Sequence, residues 1–98
     1  MTKSNVVLCA PVRTAIGTYG GSLKGFAATD LGAAAIKAAL ERANLKGSDV
    51  DSVVMGQVVQ AGAKMNPARQ AMRAAGMPVE VPAMTVNRVC GSGAQAIA

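Results

Sequence analysis

The order of elements in these 98 residues predicts an α/β fold: a mainly parallel sheet with helices on both faces. Three observations carry that expectation. Short apolar runs at residues 6–10, 50–59 and 83–86 read as strands. Helical stretches with recognisable caps separate and follow them, which is the order of crossover units between parallel strands. Finally, 51% of the residues are hydrophobic but only 2% are aromatic, so the helices are slim and must lie close to a sheet to bury enough area.

The first strand, Val6 to Ala10, is short, apolar and β-branched at its start, and Pro11 closes it. Gly17, Gly20, Gly21 and Gly25 make the next stretch, to Ala28, a long loop. Thr29 reads as an N-cap and Asp30 suits the first turn of a helix that runs to Ala43. Asp30, Lys37, Glu41 and Asn44 fall on one polar stripe, leaving Leu31, Ala35, Ile36, Ala38, Ala39 and Leu40 to lie on the sheet. Gly47, just beyond Lys46, is the expected stop.

Gly56 inside the second strand marks a bend or a close backbone approach. After a turn at Ala61-Gly62-Ala63, Asn66 as N-cap and Pro67 at the first helical position predict a helix to about Ala75, closed by Gly76 with Pro78 beyond. The third strand, Ala83 to Val86, feeds Cys90 and a last helix expected to open at that cysteine. The chain then stops at Gln95-Ala96-Ile97-Ala98 without a Gly, Asn or Pro stop signal, which reads as an N-terminal piece of a longer protein.

Composition narrows the function classes. A chain of this length buries a smaller fraction of its surface than a full-size one, and its core is expected to be marginal alone. The net charge is +5, yet the ten basic residues are dispersed from Lys3 to Arg88, and only Tyr19 and Phe26 are available to stack on a base. Nucleic-acid binding calls for a clustered basic face, so it is not expected. A dispersed positive excess suits an anionic small substrate such as a phosphorylated coenzyme. No apolar run approaches the roughly 20 residues needed to span a bilayer. Met1-Thr2-Lys3-Ser4-Asn5 leads into only about one strand of apolar residues, so a secretion signal is not expected there, and a reduced, cytoplasmic setting is expected for the two cysteines.

Cys90 stands where an apolar run stops and small residues follow, in Val89-Cys90-Gly91-Ser92-Gly93. A thiol at a helix start faces unpaired backbone N–H groups, which favour the nucleophilic thiolate. Ligands in parallel sheets bind beyond the carboxyl ends of strands, which is where Cys90 falls. The local sequence equally allows a small buried hydrophobe, since free cysteine is often buried. A nucleophilic Cys90 attacks a carbonyl carbon, and the N–H groups of Cys90 and Gly91 are candidate donors to the oxygen that gains charge. Ser92 is a further candidate donor to substrate, against a structural role at the helix start. Arg13, Arg69 and Arg88 read as exposed or structurally paired more readily than as phosphate ligands, and Asn87 as a side chain that fixes the turn.

Three blocks bear on the choice. They are Arg13-Thr14-Ala15-Ile16-Gly17 with Gly20-Gly21-Ser22-Leu23, then Met55-Gly56-Gln57-Val58 leading to Asn66-Pro67-Ala68-Arg69-Gln70, and Val86-Asn87-Arg88-Val89-Cys90-Gly91-Ser92-Gly93. In this order they resemble the N-terminal part of the thiolase family, the acetyl-CoA acetyltransferases and 3-ketoacyl-CoA thiolases. The resemblance implies a layered thiolase-like fold. Residues 1–98 are then the first part of its N-terminal domain, ending inside the helix that begins at the nucleophile. It implies that Cys90 accepts an acyl group, with Gly91 and Ser92 beside the substrate, and that Cys9 is core.

For the family, acetyl-Cys90 would be attacked by the carbanion of a second acetyl-CoA to give acetoacetyl-CoA, or the reverse thiolysis would run. Proton removal next to a carbonyl needs a general base, and this chain contains no histidine. The resemblance implies that a second cysteine, a Gly-His-Pro histidine and an asparagine motif lie downstream, so residues 1–98 alone are not expected to turn over. It further implies acetyl-CoA and other CoA thioesters as partners, no metal, and no cofactor other than coenzyme A as substrate and product. The full-length protein is then a homodimer or homotetramer, with the strand before Cys90 at a dimer interface.

Three other readings compete. Gly91-Ser92-Gly93-Ala94-Gln95-Ala96 also fits G-x-G-x-x-A between a strand and a helix, the dinucleotide-binding pattern of an oxidoreductase, but the acidic residue expected about 20 positions on would fall beyond Ala98. A condensing ketoacyl synthase also uses a cysteine at a helix start. A non-catalytic dimerisation module would use the apolar strands to pair with a partner chain.

Overall fold

The computed structural model describes residues 4–98; Met1–Lys3, part of the opening stretch considered above for a secretion signal, lie outside the described residues. Helix α1 spans Ala28–Ala43. Its N-cap is Ala27 rather than Thr29, because the Asp30 carboxylate accepts the Ala27 N–H at 2.9 Å. A carboxylate that reaches back in this way stands third in its helix, which moves the start upstream of the hydroxyl that had looked like the cap. The helix ends at Asn44, in left-handed backbone at φ 55°, ahead of Gly47, and a 3₁₀ turn follows at Gly47–Asp49.

Strands β1 (Val53–Gly56) and β2 (Ala83–Val86) pair in parallel, with Val53 opposite Ala83 and Gly56 opposite Val86. β2 has the expected bounds. β1 is shorter than its apolar run, for pairing extends only as far as β2 offers partners. Helix α2, Pro67–Ala74, lies between them in sequence and follows its punctuation closely: Asn66 caps it, Pro67 opens it, and Gly76 leaves it at φ +86°.

Side chains alternate across a strand, so Val53, Met55, Ala83 and Thr85 share one face. α1 and α2 cover that face. Thr85 Oγ1 accepts the Ala68 N–H at 3.0 Å, and a Cβ at Gly32 of α1 would lie 3.2 Å from the Met55 methyl. Beneath them Met72, Met77 and Val81 form the buried core, with Ile36, Leu40, Val50, Val53 and Ala83 packed against it. Gly56 faces the other way, and there α3 (Ser92–Ile97) lies against it so closely that a Cβ would come 2.5 Å from the Ser92 carbonyl carbon. The sheet is therefore parallel with helices on both faces. Of the two meanings allowed for Gly56, close backbone approach is the one realised.

Residues 6–10 do not form the expected strand. Val6, Val7 and Leu8 are 91, 75 and 80% exposed, and Cys9, expected in the core, is exposed with them. A strand forms only where its N–H and C=O groups find a partner, and β1 and β2 are the two strands paired among the described residues. Apolar character alone cannot supply that partner.

Asn66 ties the helical layer to the sheet. Its Oδ1 accepts from the Arg69 N–H at 3.4 Å and from Thr85 Oγ1 at 2.7 Å, while Nδ2 donates to the Ala83 carbonyl at 3.0 Å, all from left-handed backbone at φ 45°. Asn66→Ala removes the cap and cross-links and leaves an alanine where it is strained, a loss expected at about 2 kcal/mol. Asn66→Gly keeps the backbone at ease and should rank between the two in urea unfolding. Equal midpoints for glycine and alanine would refute the strain component.

Candidate active site

β2 delivers the chain to Cys90 through a turn fastened to the end of β1. Past the last strand pair, the Gln57 N–H donates to the Val86 carbonyl at 3.0 Å, and Asn87 Nδ2 donates to the Val58 carbonyl at 3.1 Å. Asn87 Oδ1 accepts the Val89 N–H at 2.9 Å, so one side chain fixes the turn and anchors it. This is the structural role expected of Asn87. The anchor points, Gln57 and Val58, carry no chemistry of their own; in sequence they stand in the second of the three blocks, directly after Gly56.

Ser92 closes the turn from the other side. It is 4% exposed, and its Oγ accepts the Arg88 N–H at 2.8 Å and donates to the Val89 carbonyl at 2.7 Å. The Gly91 N–H donates to the Arg88 carbonyl at 2.9 Å and the Ser92 N–H to the Val89 carbonyl at 3.1 Å. Ser92 and Gly91 thus sit where the sequence puts them, but the hydroxyl and the N–H expected to serve a substrate are engaged in the turn. The amides of Arg88, Val89, Gly91 and Ser92 are all spent in this way. Between them stands Cys90, whose own N–H donates to none of these groups.

Val89 is held at φ +45°, which a β-branched residue resists at a cost of about 1–3 kcal/mol. The bonds around it over-determine that conformation. It reverses the chain just before Cys90 and leaves that cysteine exposed, not a buried hydrophobe. The helix starts at Ser92 with Gly91 as cap, so Cys90 lies one residue before the cap rather than at the first helical position.

The arginines follow the structural reading. Arg69 Nη1 donates to the Val81 carbonyl at 2.9 Å, Arg88 Nη1 to Gln95 Oε1 at 2.9 Å, and Arg13 Nη1 to its neighbour Thr14 at 3.1 Å. Arg13 and Arg42 line an open hollow of about 570 Å³, and a second of about 350 Å³ runs from Ala27 to Gln57 and Gln70; Cys90 lines neither. Among the described residues no group of three or more His, Cys, Asp or Glu is placed to hold a metal ion, and no helix is long and apolar enough to cross a membrane.

Residues 6–98 match the family model for the thiolase N-terminal domain. The chain is 55% identical over 94 residues to the acetyl-CoA acetyltransferase of Cupriavidus necator, covering 96% of this chain and 24% of that protein. It is 52% identical over 94 residues to the acetyl-CoA acetyltransferase of Escherichia coli, covering 96% and 24%. To the probable acetyl-CoA acetyltransferase of Mycobacterium tuberculosis it is 56% identical over 98 residues, covering 100% and 24%. The chain spans about a quarter of the length of the curated relatives it matches.

Proposed function

The chain belongs to the thiolase family, and from that premise we propose that Cys90 is the acyl acceptor of an acetyl-CoA C-acetyltransferase. The observation that carries this reading is the turn itself: the five residues that flank Cys90 (Asn87, Arg88, Val89, Gly91 and Ser92) spend their hydrogen bonds on holding the turn that presents its exposed thiol and the N–H beside it. Cys90 sulfur attacks the thioester carbonyl of acetyl-CoA, the bond from carbonyl carbon to coenzyme sulfur breaks, and the thiol's proton ends on the departing coenzyme. The Cys90 N–H is the local donor for the oxygen that becomes negative in between. Gly91 keeps the approach open. Its φ is ordinary and a Cβ there would make only ordinary contacts with Arg88, the nearest to its carbonyl oxygen at 3.4 Å, so the missing side chain benefits an incoming substrate more than the fold.

Condensation of acetyl-Cys90 with a second acetyl-CoA, and its reversal by thiolysis, needs a base that this chain does not supply, having no histidine. Residues 1–98 thus support the first half-reaction, and turnover falls to the complete protein, proposed as a cytoplasmic homodimer or homotetramer. Coenzyme A takes part as substrate and product, without a further cofactor. The two unpaired, exposed thiols suit a reducing compartment.

Intact mass of the native protein before and after incubation with acetyl-CoA, followed by peptide mapping, tests the reading. One acetyl group on Cys90 and none on Cys9 is expected. A label on Cys9 alone, or no label under conditions where the protein is folded, would overturn it.

A further inference from the structure

We infer that Ser92 and Asn87 are positioning residues for acyl transfer, acting through the turn they brace and not through contact with substrate. The inference rests on the reading of Cys90 as acyl acceptor and goes beyond it, since neither side chain touches the reacting atoms. Three observations lead here. Ser92 is the one buried polar side chain among the described residues, and both of its hydroxyl bonds end on the two residues before Cys90. Asn87 reaches the same turn from the β1 side, with one amide atom on the Val89 N–H and the other on the Val58 carbonyl. The residue they enclose, Val89, is β-branched and holds φ +45°.

A strained residue keeps its conformation only while its neighbours enforce it. Remove the Ser92 hydroxyl, and the Arg88 N–H and one bond to the Val89 carbonyl are released together, so Val89 can relax towards negative φ. That rotation turns the peptide joining Val89 to Cys90. The same peptide carries the Cys90 N–H, so the thiol loses its fixed relation to the donor for the developing oxyanion. Acyl transfer depends on that relation, because sulfur must attack while the carbonyl oxygen accepts the N–H. Alkylation by iodoacetamide does not, because displacement at a saturated carbon generates no oxyanion.

The two reactions at Cys90 therefore separate positioning from mere folding. In the native protein, rates of Cys90 acetylation by acetyl-CoA and of Cys90 alkylation by iodoacetamide are measured by peptide mass for wild type, Ser92→Ala, Ser92→Thr and Asn87→Ala. The ratio of acetylation to alkylation is expected to fall roughly 10²-fold in Ser92→Ala, a loss typical of small misplacements. It should fall also in Asn87→Ala and recover in Ser92→Thr, which keeps the hydroxyl. Should Ser92→Ala not fold, Asn87→Ala decides, as its side chain is exposed. An unchanged ratio in the variants, with wild type acetylated normally, overturns this inference alone. A wild type that alkylates at Cys90 but never acetylates overturns the parent reading, and this one with it.

Discussion

Replacing Cys90 with alanine should leave the fold standing and abolish acetyl transfer. Within the described residues the side chain is exposed, so its loss removes little packing there, and the unfolding free energy of residues 1–98 should stay within about 0.5 kcal/mol of wild type. Activity responds on another scale. Without the sulfur there is no covalent acceptor, and what remains is binding and orientation, so overall turnover of the native protein should fall by at least about 10⁴-fold. Serine at the same position keeps the shape but offers a hydroxyl that is a poor nucleophile unless a base activates it, and it should rescue little. Cys9→Ala is the control: a thiol on the exposed run of residues 6–10, far from the Val89 turn in sequence, should have no effect on labelling. A Cys90→Ala protein that kept more than a few per cent of its acetyl transfer would overturn the reading of Cys90 as the acyl acceptor.

Where an element is specified by its own residues, it was readable from the chain. α2 is the clearest case, since Asn66, Pro67, Gly76 and Pro78 act within a turn of the helix ends they mark. The polar stripe of α1 was legible for the same reason, and Ala83–Val86 because its partner, Val53–Gly56, also reads as a strand. Residues 6–10 have the composition of a strand, but a strand is a property of two segments, and none of the described residues pairs with them. The start of α1 was misplaced because Thr29 and Asp30 both resemble capping residues, and only the bond from Ala27 to Asp30 decides between them. At the site, the small residues around Cys90 left an exposed thiol and a buried hydrophobe equally open, and the structure has the side chain exposed. The commitment of the Gly91 N–H and the Ser92 hydroxyl to the turn was not legible, for it follows from Val89 adopting a φ that its type disfavours.

Gly56→Ala should be the most damaging single-methyl change in the chain, although the residue is remote from Cys90 in sequence. In most strands such a substitution helps: alanine restricts the unfolded chain and gains about 0.4–1 kcal/mol. Here the new Cβ would lie 2.5 Å from both the carbonyl carbon and the oxygen of Ser92, and 2.8 Å from the Gly93 nitrogen. These are backbone atoms, so no flexible side-chain tip can swing aside; the first turn of α3 must lift off the sheet or β1 must bend away. Overpacking of this kind costs about 1–3 kcal/mol, which exceeds the gain. The displacement acts on function through Ser92, because that residue bears the clash and also holds the Arg88 and Val89 backbone next to the nucleophile. A shift of about 1 Å there is enough to lower acetyl transfer by roughly 10²-fold. Urea unfolding and Cys90 acetylation should therefore both fall in Gly56→Ala, with acetylation lost even under conditions where the protein remains fully folded. Wild-type acetylation at reduced stability would show that α3 yields without moving the turn, and wild-type values of both would mean that α3 does not rest on Gly56 at all.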